Sequence, residues 1–337
     1  MNRFEYIRAD SVAHAIQALA APDAQALAGG TNLVDLMKYD VAKPARIVDI
    51  NRLPLRGIEE TPNGGLKIGA LISNSDLAWD PRIVRRYPLL ASAILAGASP
   101  QLRNAATTGG NLLQRTRCYY FYDPSTPCNK RQPGSGCSAI DGVNRIHAIL
   151  GASDQCIAVH PSDMCVGLAA LDAIVHLEGP DGSRNLRFGD FHRLPEDRPQ
   201  HDNNMRPGEL ITAVELPVSD FTENYTYLKV RDRLSYAFAL VSVAAALRID
   251  AGAIVEARLA LGGVAHKPWR SRSVEEWLRG KVPDESTFAE CAESILRGAR
   301  GRGQNNFKID LARRTIIRAL RQAAAGMPQD QADKVVR

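Results

Sequence analysis

Within its 337 residues the chain has no run of about eighteen apolar residues, the length a membrane-spanning helix needs. Its opening, MNRFEYIRAD, lacks the apolar stretch of a secretory signal. Membrane insertion is therefore not expected. The chain is expected to be made in the cytoplasm, and to reach the periplasm only if exported while folded on a signal-bearing partner. Cysteine is scarce: six residues, unevenly placed, do not make a disulfide framework in a chain of this size. There is no C-x₂-C pair of the common zinc modules and no ferredoxin-type C-x₄-C-x₂-C spacing. A Walker loop, a G-x-G-x-x-G fingerprint, internal repeats and low-complexity segments are missing too. Nor does one sign of charge dominate. Lys and Arg number 42 against 37 Asp and Glu, a net +5 that is scattered, so a nucleic-acid partner is not expected. The nearest basic cluster, RGARGRGQNNFK from Arg297 to Lys308, reads as a solvated loop between helices.

What is present is an ordinary globular composition, 45% apolar and 23% charged, with enough length for two or three domains. Residues 1 to about 56 read as a compact βαβ-like lobe. DSVAHAIQALAAP is an amphipathic helix behind a serine cap, and AQALAGGTNLVDLMK a strand, glycine turn and helix; ARIVDI is a second strand. A second lobe runs to residue 219. There, GLKIGAL and GELITAVELP read as strands, residues 76–99 as two helical pieces broken at prolines, and SDMCVGLAALDAIVHLEG as a helix running into a strand. RIHAIL also looks strand-like. Residues 221–326 carry strands followed by helices, an α+β pattern, and 327–337 a polar tail expected to fray.

Two glycine turns draw attention. LAGGTNL places Gly29 and Gly30 between a strand and a helix, where consecutive N–H groups can cradle a diphosphate beside Thr31 and Asn32. ATTGGNLLQ repeats this chemistry with Thr107, Thr108, Gly109, Gly110 and Asn111. Two such turns could grip both halves of a dinucleotide. Asp163, in HPSDM, suits a helix cap or a ribose acceptor. Cys118, Cys128, Cys137 and Cys156 are separated by 10, 9 and 19 residues in a segment rich in Pro, Gly, Tyr and Arg. Four thiolates there suit a tetrahedral site, with [4Fe–4S] and zinc both open; nearby Arg115, Arg117, Lys130 and Arg131 could stabilise an anionic cluster. Cys165 and Cys291 fall in helical runs and read as buried thiols.

The motifs AGGTNLVDLMK, TTGGNL, PSDM, LITAVELP, YLKVRDRLSYAFALVSVAAAL and LGGVAHKPWR occur in that order across almost the whole chain. Together they resemble the FAD-binding subunits of the xanthine dehydrogenase and aldehyde oxidase family of molybdenum hydroxylases. The cysteine-bearing insertion, about 115–159, looks like that of the periplasmic aldehyde oxidoreductases of bacteria, where it carries a [4Fe–4S] cluster. The resemblance implies an α+β fold: a two-lobed PCMH-type FAD domain over 1–219, then a carbon-monoxide-dehydrogenase-flavoprotein-like domain over 221–326. It implies that Leu27, Ala28, Gly29, Gly30, Thr31, Asn32 and Leu33, with Thr107, Thr108, Gly109, Gly110 and Asn111, hold the FAD diphosphate and ribityl chain. Asp163 would then bind ribose, Ile211 pack on the flavin, Lys229 lie near the isoalloxazine, and the four cysteines ligate the cluster.

Two departures stand out. Tyr236 falls where NAD-reducing members carry an acidic residue, and Gly97 where a flavin-covering phenylalanine would sit; a tyrosine of the insertion is a candidate replacement. NAD is then not the expected acceptor; ferredoxin or a quinone is. No [2Fe–2S] spacing and no molybdopterin domain are present, so both cofactors would belong to partner subunits. The rival readings are a stand-alone flavin reductase or oxidase of the same fold and a zinc-stapled binding protein.

Overall fold

The computed structural model describes residues 1–331. Lobe one contains β1 (Glu5–Arg8), α1 (Val12–Leu19), β2 (Ala24–Leu27), α2 (Leu33–Lys38) and β3 (Arg46–Asp49). Helix α1 begins where the Ser11 hydroxyl accepts the His14 N–H at 3.2 Å. Its Ala15, Ala18 and Leu19 pack with Val48 and Ile50 beneath a parallel sheet of order β1-β3-β2. The expected βαβ opening is present.

Lobe two begins with β4 (Ile58–Glu60), β5 (Leu66–Gly69), α3 (Asn74–Trp79), α4 (Pro81–Arg86), α5 (Pro88–Ala96), α6 (Pro100–Ala105) and α7 (Thr108–Leu112). It continues through α8 (Tyr119–Tyr122), α9 (Asp163–Ala170), β6 (Ile174–Gly179), β7 (Gly182–Arg187), α10 (Phe188–Phe191) and β8 (Leu210–Leu216). The sheet is antiparallel, ordered β4-β5-β8-β6-β7. Where two helical pieces were expected around the prolines, three helices follow one another. Pro81 and Pro88 each occupy the first helical turn, where a missing N–H is harmless and a fixed φ helps. Helix α5 is apolar on all sides and runs through the lobe's core.

The C-terminal part adds β9 (Tyr225–Val230), β10 (Val241–Asp250), β11 (Ala253–Gly262), β12 (Trp269–Arg270), α11 (Arg272–Leu278), α12 (Glu285–Ile295) and α13 (Phe307–Ala324). Its sheet is antiparallel, ordered β12-β11-β10-β9. Strand β10 shows why its sequence is apolar at successive positions. Val241, Val243, Ala245 and Leu247 join the core under α12 and α13, while Ala244 and Ala246 join the core of lobe two. The two-residue alternation sends side chains to both faces, and both are buried.

The 115–159 insertion corrects two expectations. RIHAIL forms no strand: Ile149 and Leu150 both donate to one carbonyl, that of Val264, which is too little for a ladder. The segment is held instead by side chains of the basic stretch expected to be solvated. Lys308 is fully buried and donates to the carbonyls of Ile146 (3.3 Å), His147 (2.8 Å) and Gly263 (2.6 Å). Burial lowers its pKa to about 7. Asn305, also buried, donates to His147 and Ala148 carbonyls. Lys308→Met should strand these acceptors, costing about 3 kcal/mol. Urea unfolding and protease cleavage around residue 146 will read it; an unchanged midpoint and cleavage pattern would show that Lys308 does not pin the insertion.

The tail is partly docked rather than frayed. Gln329 N–H donates to Thr226 Oγ1 at 3.0 Å, and the Gln331 amide to the Tyr227 carbonyl at 3.0 Å. The expectation for 332–337 lies outside the described residues.

Candidate functional site

Between the lobes lies a cavity of about 340 Å³, within the range of small-molecule sites. Its wall includes all seven residues singled out at 27–33, together with Thr107, Gly109, Gly110, Asn111 and Ile211. The tertiary structure thus brings both glycine segments to one space. They meet because neither has a side chain in the way: a Cβ on Gly29 would sit 1.8 Å from the Ala105 carbonyl oxygen. Gly30 has φ +71°, a conformation glycine adopts without strain.

The two turns are not equivalent. Among the described residues, no N–H of Gly29, Gly30, Thr31 or Asn32 donates to a protein acceptor, so this turn offers donors to a ligand. The second turn is a short helix in which most backbone donors are spent, that of Thr107 excepted. Thr108 N–H bonds the Ile72 carbonyl, Gly109 N–H the Ala70 carbonyl, and Gly110 N–H the Thr107 hydroxyl. Thr108 itself is buried, its hydroxyl on the Ile72 carbonyl at 3.1 Å, and it does not line the cavity. The second turn therefore offers fewer free backbone donors than the first; what it presents to the cavity is Thr107, Asn111 and a close glycine backbone.

Asn32 carries the sign of a missing ligand. Its Oδ1 accepts the Arg115 N–H at 2.9 Å, while its buried Nδ2 has no partner. A buried amide without an acceptor is costly, and a phosphate or hydroxyl in the cavity would supply one. Asn51 steadies the same loop by donating to the Ala28 carbonyl at 3.1 Å. Motif reading missed Asn51; its position just past strand β3, where it bonds the Asp49 carboxylate at 2.8 Å, was the available signal.

Asp163 and Lys229 lie outside this lining. They form a buried ion pair at 2.8 Å, and Tyr227 donates to the other carboxylate oxygen at 2.7 Å. Asp163 does not cap α9; the cap is Ser162, whose hydroxyl accepts the Cys165 N–H at 3.0 Å. A Cβ on Gly97 would meet Asp163 Oδ2 at 3.1 Å, which explains the absence of a bulky residue there. Among the described residues no aromatic side chain lines the cavity, so the candidate replacement, a tyrosine of the insertion, is not found there. The insertion's tyrosines are engaged elsewhere: Tyr120 accepts the Val143 N–H, and Tyr122 bonds Asp35.

Cys118, Cys128, Cys137 and Cys156 line one small cavity of their own, although they come from four places in the insertion. Cys128 and Cys137 face each other across an antiparallel bridge. Burial pushes the thiol of Cys118 up to about 12 and that of Cys156 up to about 11, with neighbouring cysteines adding to both. Such thiols ionise only against a cation. Four thiols around one small cavity make a candidate metal centre, with zinc and an iron–sulfur cluster both compatible with the donor set. The nearby cations are committed to protein acceptors. Lys130 and Arg115 pair with Asp202, Arg117 pairs with Asp35 at 3.2 Å, and Arg131 donates to the Tyr120 and Phe121 carbonyls. Arg115 also lines the cavity between the lobes and lies 4.9 Å over Phe121, which lines the cysteine cavity. The two sites are therefore neighbours. Cys165 and Cys291 are buried, as expected.

Comparison with known proteins agrees with this geometry. The family model described as the FAD binding domain in molybdopterin dehydrogenase matches residues 2–219, and that of the CO dehydrogenase flavoprotein C-terminal domain matches 225–323. The chain is 48% identical over 328 residues to the aldehyde oxidoreductase FAD-binding subunit PaoB of Escherichia coli, covering 96% of this chain and 99% of that one. It is 30% identical to the glyceraldehyde dehydrogenase medium chain of Sulfolobus acidocaldarius, over 87% and 86% of the two chains. Among solved structures, quinoline 2-oxidoreductase from Pseudomonas putida superposes with TM-score 0.75 at 26% identity, over 97% and 98% of the chains. Carbon monoxide dehydrogenase from Hydrogenophaga pseudoflava does so with TM-score 0.76 at 27% identity, over 96% and 98%. With both of its parts matched and the open cavity between its lobes, the chain belongs to the FAD-binding subunits of the xanthine dehydrogenase and aldehyde oxidase family, the flavin component of an oxidoreductase complex.

Proposed function

We propose that the chain is the electron-transfer subunit of a molybdenum-dependent aldehyde oxidoreductase, standing between the [2Fe–2S] clusters of a partner and an external acceptor. The observation that carries this reading is the cavity lined by both glycine segments, with free N–H groups on one and the unpartnered Asn32 amide beside them. The 48% identity to an aldehyde oxidoreductase FAD-binding subunit supports the substrate class. Bound FAD supplies the redox chemistry, and the protein supplies position and electrostatics. Residues 29–32 hold the diphosphate through backbone donors. Asn32 adds an amide donor, and Ile211 gives an apolar wall. No side chain here need act on the aldehyde, whose oxidation belongs to a molybdenum-cofactor subunit.

The four cysteines are proposed to hold a [4Fe–4S] cluster, supported by their shared cavity and by the 48% identity to an aldehyde oxidoreductase FAD-binding subunit. The acceptor is proposed to be a ferredoxin or a quinone rather than NAD. Tyr236, exposed and at φ +50°, offers no carboxylate for a nicotinamide nucleotide's ribose. Periplasmic residence is proposed to depend on co-export with a signal-bearing partner. No helix among the described residues is long and apolar enough to cross a membrane.

The assembled complex should contain FAD and, beyond the partner's clusters, about four iron and four sulfide per chain, by absorption spectroscopy with flavin, iron, sulfide and zinc assays. Zinc in place of iron would make the insertion a structural staple. A protein that takes up no flavin on reconstitution would remove the basis of the reading. Cys128→Ser should lose the extra iron while keeping FAD, because the two cavities have separate walls; unchanged iron would exclude Cys128 as a ligand.

A further inference from the structure

Away from the four-cysteine centre lies a second group of metal-ligating side chains that electron transfer through flavin does not use. His160, Cys165 and His192 each present a ligand atom, and these atoms all lie within 4.8 Å of one another. None of the three residues is more than 8% exposed. The two imidazole rings are tilted together with centroids 4.3 Å apart. The residues come from separate segments: the exit of the insertion, helix α9, and the chain just past α10.

Two of the ring nitrogens have no protein partner. His192 Nε2 lies 2.8 Å from the Leu112 carbonyl, which fixes the proton on that nitrogen and leaves Nδ1 with a free lone pair. Nδ1 is buried without a hydrogen bond. His160 Nε2 is likewise buried without a hydrogen-bond partner; its Nδ1 lies 3.4 Å from the Ser162 N–H, so His160 ligates through Nε2 only in the tautomer that moves its proton to Nδ1 and gives up that long contact. Neighbouring His266 is differently placed. Its Nδ1 donates to the Arg193 carbonyl at 2.8 Å and its Nε2 faces Asp202 at 3.5 Å, so it is not among the ligands. A buried imidazole nitrogen without a partner is expensive, and here both rings belong to one close group with a thiol.

We propose that His160, Cys165 and His192 form a binding site for one borderline-soft divalent cation of the zinc class. Two imidazoles and a thiolate are ligands that such an ion takes, and a His–Cys mixture selects against calcium and magnesium. On binding, Cys165 gives its thiol proton to solvent and bonds as thiolate; nothing is oxidised or reduced. The ion would tie the insertion's exit to α9 and to the segment that supports Leu112, whose neighbours Asn111 and Leu113 line the cavity between the lobes. Its role is cross-linking, and the site stands independently of the flavin and iron–sulfur readings.

The test uses the assembled complex, freed of adventitious metal and titrated with cobalt(II), while its iron content is monitored to show that the four-cysteine centre does not exchange. The expected result is one cobalt retained per chain, with a thiolate-to-cobalt absorption band and a raised melting temperature. Cys165→Ala should abolish the band and weaken retention at least tenfold; Cys291→Ala, a buried thiol in the C-terminal core, should leave both unchanged. His192→Asn gives a second reading should Cys165→Ala fail to fold. No retained cobalt in the wild type, or retention unaltered in the folded variants, would overturn the assignment.

Discussion

Replacing Asp163 with alanine should destabilise the flavin-free protein by about 3–5 kcal/mol, the cost of leaving one partner of a buried ion pair uncompensated. Asp163 and Lys229 side chains are only 8% and 3% exposed, and their 2.8 Å contact joins the start of α9 to strand β9. Without the carboxylate, the ammonium keeps only the Ala96 carbonyl at 3.2 Å, and Tyr227 loses its acceptor. Lys229→Met should cost a similar amount by stranding the carboxylate. The double variant Asp163→Ala/Lys229→Met should recover most of the loss, since both charges then go together. Denaturant unfolding of the apo-protein measures this, and flavin affinity measured in parallel separates two roles. A stable apo-protein that has simply lost FAD would mean that Asp163 serves the ribose, as the family resemblance implies. A destabilised one means that it first serves the fold.

Gly29→Ala should remove FAD almost completely, with at least a tenfold loss of affinity. The added Cβ would lie 1.8 Å from the Ala105 carbonyl oxygen and 2.6 Å from its carbon. Both are main-chain atoms, so no side chain can swing aside; the loop must move and the lobes part. That displaces the N–H groups of residues 29–32 from whatever they hold. Gly189→Ala is the matched control, because nothing lies within 4 Å of a Cβ there. Flavin-to-protein ratio and the quenching of flavin fluorescence on titration will read the difference. Wild-type affinity in Gly29→Ala would show that the close approach is not needed for binding.

Much of the architecture could be read from local pattern. Ser11, Ser73, Asp80, Ser99, Thr107, Ser162 and Asp284 all cap helices through side-chain acceptors, and such signals depend on a few neighbouring residues. The apolar run of β10 was legible as a strand or a helix–strand mixture, and only packing showed a strand buried on both faces. Prolines misled, because Pro81 and Pro88 start helices where a break was expected. RIHAIL misled too: its residues suit a strand, but Ile149 and Leu150 share the single Val264 carbonyl instead of alternating along a partner strand.

The site divides in the same way. Glycine pairs, an acidic residue at a helix start and a cysteine-bearing insertion were visible as residue types at given spacings, and with the ordered motifs they were enough to identify the flavin family and its two parts. Which donors remain free was not visible. Local sequence made the two glycine turns look alike, but the hydrogen bonds from Thr108 and Gly109 to Ile72 and Ala70 reach across some forty residues and occupy most of the second turn's donors. Sequence determined the order of elements, their caps and the chemistry available. Tertiary structure alone decided that Asp163 meets Lys229, that four cysteines share one cavity, and that Lys308 is buried, because charge pairing, sulfur separation and desolvation depend on distances between residues far apart in the chain.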